Sequence, residues 1–140
     1  MVRLIMGVKG SGKTKQLIEL INAAAKDEAG NVVCIEPKRD MSYNIHYNIR
    51  LIDAQEYDLH SYEVFRGFIS GLYAGNYDIT HLFIDGTFKI GKIGDVEKDY
   101  EGFAYMVQCL AKLNTEAQIV FTVSCDASDL PVSVNEYIVK

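Results

Sequence analysis

Prolines are scarce, cysteines are few and isolated, and long apolar runs are missing, and each scarcity excludes something. No apolar stretch reaches the roughly 18 residues of a membrane-spanning helix. No signal peptide precedes the first apolar run, Val2 to Met6, so a cytosolic protein is expected. Cys34, Cys109 and Cys125 lie far apart, are odd in number and fit no C-x-x-C spacing. They read as small buried hydrophobes in a reducing compartment, not as zinc ligands or disulfides. Positive charge is not in excess either. The net charge of −5 gives no global field toward nucleic acid or anionic lipid. Only Pro37 and Pro131 punctuate the chain, and no segment has the composition of a linker. With 140 residues, one α/β domain spanning 1–140 is expected and two would not fit.

What is present begins with Gly7-Val8-Lys9-Gly10-Ser11-Gly12-Lys13-Thr14, which fits the P-loop pattern G-x-x-x-x-G-K-[ST]. A β-prone run precedes it, and Leu17, Ile18, Ile21, Ala24 and Ala25 follow at helical spacing. Strand, glycine loop and helix are the setting the pattern needs. Gly7, Gly10 and Gly12 let the loop wrap closely, so that its backbone N–H groups, including those of Lys9 and Ser11, point at a phosphate. A helix starting near Gly12 adds its positive dipole end. Lys13 is placed to reach the β- and γ-phosphates of a nucleotide and the Thr14 hydroxyl to ligate Mg²⁺.

Further on, Gly30-Asn31 marks a helix stop and Val32 to Ile35 a short buried strand. Met41 to Leu51 alternates apolar and polar residues, which predicts one long strand or a bent pair with a single apolar face. It would serve as an edge ribbon, a lid or a contact surface. Ser61 caps a helix striped by Tyr62, Phe65, Ile69, Leu72 and Tyr73, ending at Gly75. His81 to Asp85 is another buried strand. Gly86 to Gly94, holding Lys89 and Lys92, reads as a mobile loop or as a basic clamp over phosphate. Asp95 caps a helix whose Tyr100, Phe103, Val107 and Leu110 share one face. Gln118 to Val123 is a strong strand ending at Ser124-Cys125-Asp126, and Val132 to Val139 adds one short strand. Strands alternating with helices predict a mainly parallel sheet with helices on both faces, a three-layer α/β fold. Asp85, at the end of Leu82-Phe83-Ile84, would be delivered to the same sheet edge as Gly7, where it can hold Mg²⁺ opposite Thr14.

With the loop and this acid together, the chain resembles the P-loop NTPase superfamily, and nearly all of it can be laid over such a core. The polar end of the last strand, Ser124, looks like the RecA-like division. There this strand lies between the other two and its tip senses the γ-phosphate. The resemblance implies a water-polarising acid just beyond the second strand, which falls on Glu36. Asp126 is the other candidate. Gly86 departs from the pattern, since many members place Glu there. The guanine-reading N-K-x-D is absent, which favours ATP over GTP. Only the loop is shared with type IV pilus retraction motors, whose additional domain 140 residues cannot hold.

Three functions follow. The first is an ATP·Mg²⁺-binding protein with slow hydrolysis. The second is a small kinase: Ile35 to Asp40 and Ile119 to Asp126 resemble thymidine kinases, although Asp-Glu-Ala-Gln, zinc cysteines and a lasso are missing. The third is a non-hydrolysing module in which nucleotide orders a surface for a protein partner or for self-association. No membrane or nucleic-acid partner is indicated.

Overall fold

Alternation along the strands explains the architecture. The computed structural model describes residues 1–8, 10–27, 30–38, 49–91, 99–113 and 115–139. Among them, β1 (Val2–Met6), β2 (Val32–Glu36), β3 (Arg50–Asp53), β4 (His81–Ile84) and β5 (Gln118–Val123) form one sheet in the order β1-β5-β4-β2-β3. Every pairing is parallel. Successive side chains go to opposite faces. Ile5, Val32, Cys34, Phe83 and Val120 therefore pack with Leu17 and Ile21 of helix α1 (Lys13–Ala25). Val2, Leu4, Val33, Ile35, Leu82, Ile84, Ile119, Phe121 and Val123 pack on the other face, under α2 (Tyr62–Gly75) and α4 (Tyr100–Ala111). Strands apolar on both faces are what a parallel sheet between helices requires.

The helices begin where the sequence provides caps. Ser61 Oγ accepts the Val64 N–H at 3.1 Å at the start of α2, and Asp99 Oδ1 accepts the Gly102 N–H at 2.9 Å at the start of α4. That moves the α4 cap from the expected Asp95 to Asp99; Asp95 itself lies outside the described residues. The stripes meet as expected. Phe103 of α4 sits edge-on to Tyr62, to Phe88 and to Phe121 at 5.9, 5.6 and 5.8 Å between ring centroids. Such contacts add about 0.5–1.5 kcal/mol each beyond the area they bury.

Two segments differ from expectation, and a third is described only at its end. Thr87–Ile90, expected in a mobile loop, is a one-turn helix, α3, with Thr87, Phe88 and Ile90 buried. Apolar residues at its second and fourth positions tie the turn to the α4 side of the core. Of the alternating segment, 41–48 lies outside the described residues, and its end is the edge strand β3. In its described residues the single apolar face holds: Ile49 and Leu51 pack toward α1 and Arg50 between them is exposed. One residue beyond the segment, Ile52 packs toward α2 and α4, because this strand too lies in a sheet covered on both sides. The tail is 3-10 helix over Val132–Tyr137, not a strand; only Ile138 bridges to Leu4 of β1.

Candidate functional site

The glycine loop runs from the end of β1 into α1 at the C-terminal edge of the sheet. Gly7 N donates to Val123 O at 3.3 Å, tying the loop to β5, and Ser11 N donates to Val8 O at 3.1 Å within it. Gly10 and Gly12 have φ of 86° and 88°, left-handed values that suit glycine. Helix α1 starts at Gly12 with no side-chain cap, so its first N–H groups stay open toward the loop. Lys9 lies outside the described residues.

Lys13 is the charged residue of this turn and is only 8% exposed. Its ammonium donates to Val8 O at 2.9 Å, across the loop. Burial lowers its pKa from the ordinary value and the Asp85 carboxylate acts against that. Thr14, one residue on, is exposed, and its Oγ1 lies 3.4 and 3.3 Å from the two oxygens of Asp85. These groups are 71 residues apart in sequence, and the sheet brings them together.

Asp85 follows β4, and its N–H continues the ladder to Ile35 O at 3.0 Å. Its neighbours in the sheet follow from register. Ile84 pairs with Phe121 and with Ile35, so one step further Asp85 lies between Thr122 and Glu36. Glu36 in turn pairs with Asp53. Thr122, Asp85, Glu36 and Asp53 thus form a polar row across four adjacent strands, all on the α1 face. Glu36 is buried to 1% exposure. Asp53 accepts the Gln55 N–H at 2.9 Å and caps the short turn that follows.

Thr122 is the residue that sequence reasoning missed. Its Oγ1 donates to Asp85 Oδ1 at 2.6 Å and accepts the Gly86 N–H at 3.0 Å. One hydroxyl therefore orients the carboxylate and anchors the turn behind it. The expected polar tip, Ser124, comes after the strand has ended. Thr122, two residues earlier and inside the strand, makes the contact because it stands beside Asp85 in the register of β5 with β4 and on the α1 face.

Gly86 stands where the resemblance would put a glutamate, and the turn requires glycine. It has φ of 60°, and a Cβ there would stand 2.5 Å from Pro37 Cγ. Glutamate has no room at this turn. Asp126, the second candidate acid, is exposed and accepts the Ser128 N–H and hydroxyl, each at 3.0 Å, as the cap of the 3-10 turn Ala127–Asp129. Those bonds hold its pKa below the ordinary value. A groove of about 630 Å³ lined by Met1, Arg3, Ala111 and Glu136 lies at the opposite end of the sheet and shares no residue with this site.

Mg²⁺ fits the donors present. Hydroxyl and carboxylate oxygens are hard ligands, and Mg²⁺ takes only one or two from protein, keeping water and phosphate for the rest. Among the described residues, no group of three or more His, Cys, Asp or Glu forms a fuller cage. No helix of the described chain is long and apolar enough to cross a membrane. The sequence matches no protein-family model, and no curated protein matches it.

Proposed function

We propose that this chain is a P-loop NTPase that binds ATP·Mg²⁺ and hydrolyses it slowly. The observation that carries the reading is the meeting of Thr14 with Asp85, 3.3 Å apart, beside a buried Lys13 at an uncapped helix start. The strand order supports it: β5 separates the loop strand from the strand ending in Asp85, the arrangement the RecA-like resemblance implies.

Each residue then has a task. Loop N–H groups and Lys13 hold the phosphates, with Lys13 exchanging the Val8 carbonyl for a phosphate oxygen. Thr14 and Asp85 supply the protein's oxygens to the metal, and Thr122 keeps Asp85 aimed at Thr14. Bound Mg²⁺ supplies charge neutralisation at the phosphoryl group. The register that sets Glu36 beside Asp85 supports Glu36 as the residue that polarises water, while Asp126 caps its own turn. With Gly86 where a second acid would stand, turnover is slow.

Calorimetric titration of ATP with Mg²⁺ and with chelator tests the reading. The wild-type chain should bind ATP more tightly with Mg²⁺, and Asp85→Asn should lose most of that difference while keeping the Mg²⁺-free affinity. Absence of ATP binding, or equal losses under both conditions, would overturn it. Glu36→Gln should lower single-turnover hydrolysis by about 10²-fold or more at nearly unchanged affinity.

A further inference from the structure

Lys89 is the one exposed residue of α3, and the turn around it is held from several sides. Thr87 Oγ1 donates to Thr122 O at 2.8 Å, Phe88 lies edge-on to Tyr100 and Phe103, and Ile90 is buried. A turn pinned in this way presents its remaining side chain, that of Lys89, in a fixed direction. Lys89 N donates back to Gly86 O at 2.9 Å, and the lysine stem lies over Gly86, its Cδ 3.8 Å from where a Cβ would stand. Gly86 directly follows Asp85. The ammonium therefore belongs to the Asp85 side of the glycine loop. There its charge adds to the burial that lowers the Lys13 pKa. Among the described residues, the Lys89 ammonium has no hydrogen-bond or ion-pair partner.

Two cations at one sheet edge repel each other, and an anion shared between them turns that repulsion into two attractions. We propose that Lys89 is a second phosphate-binding residue of the site, contacting the terminal phosphate from the Asp85 side while Lys13 holds the chain from the loop side. The assignment rests on the nucleotide-binding reading above and deepens it. It also gives the site a cation from its own chain, where other phosphoryl-transfer proteins receive one from a neighbouring molecule. Contact with the terminal phosphate makes Lys89 a residue that tells a triphosphate from a diphosphate.

Equilibrium titration of the full chain with ATP, ADP and AMP, each with Mg²⁺, tests this on Lys89→Ala, Lys89→Arg and Lys112→Ala. Lys112 is an exposed lysine at the far end of α4 and serves as the charge control. Lys89→Ala should weaken ATP about tenfold and ADP less than about threefold, as loss of one exposed charge-assisted contact implies. AMP affinity should not move. Lys89→Arg should stay within about threefold of wild type for ATP, and Lys112→Ala should match wild type. Equal losses for ATP and ADP, or no loss for either, overturn the assignment. If wild type binds ATP in a Lys13-dependent way and Lys89→Ala binds it as well, only the Lys89 role falls. If wild type binds no ATP, the nucleotide reading falls and this one with it.

Discussion

Lys13 has two opposed requirements. Its ammonium is nearly buried, which disfavours the charge, yet the phosphate contact proposed for it needs that charge. The Val8 carbonyl and the Asp85 field are what the protein offers meanwhile. Lys13→Ala should therefore leave the unfolding midpoint near wild type while ATP affinity falls by more than about tenfold, the worth of one charge-assisted contact. Calorimetry and a thermal melt on the same variant check both halves. Thr122→Val separates shape from hydrogen bonding at the neighbouring strand. It keeps the β-branched packing but strands the Gly86 N–H and frees Asp85 from its donor. The expected result is a loss of about 1–3 kcal/mol in urea unfolding, with a weaker Mg²⁺ dependence of nucleotide binding. A variant as stable as wild type would show that the hydroxyl does not anchor the turn.

Among elements, the turn from β4 into α3 is the most constrained. Gly86→Ala puts a Cβ against Pro37 in a left-handed conformation, which should cost about 1–2 kcal/mol from the backbone alone. Denaturant unfolding reads this directly. At the other end of β4, His81 bonds Thr80 Oγ1 at 2.9 Å and stacks on Phe83 at 5.9 Å. Burial lowers its pKa from 6.5, with Asp27 opposing. The unfolded chain then takes up this proton at a higher pH than the folded one. Stability from this group is complete above about pH 6.5 and falls as the pH drops through the window beneath. The urea midpoint should decline from about pH 7 to about pH 5, and less steeply in His81→Gln. Legibility divides along the same elements. The glycine loop, the Ser61 cap and the stripes of α2 and α4 are readable because each is local, carried by fixed spacing within a dozen or so residues, whereas Asp85 is readable only when paired with the loop, 71 residues from Thr14. Thr122 is not, since it sits inside an apolar run and its role depends on the register of β5 with β4, which sets it beside Asp85. The four residues of α3 are too few to display a period. The alternation up to Leu51 gives one face of β3, and Ile52, one residue beyond it, reaches the other because the strand is covered on both sides.

For the whole molecule, the proposed function links ligand and fold through the sheet edge. Nucleotide that binds only the folded chain should stabilise it by about 2.7 kcal/mol at a hundredfold excess over Kd. In a chain of this length that raises the melting temperature by about 5–10 °C. ATP·Mg²⁺ should produce the shift in wild type and not in Lys13→Ala. An unchanged melt at saturating ATP would contradict the linkage.

The strand order has a consequence for synthesis. β5 is the last strand made, yet it lies between the first strand and the others. A ribosome that has translated through α4 has already made the glycine loop, the helix behind it and Asp85, which faces Thr14. It has not made the strand against which β1 pairs, nor the threonine that aims the acid. The nascent chain thus holds the glycine loop and Asp85 early and the contacts that join them late, so under the proposed function a half-built molecule offers nucleotide no completed site.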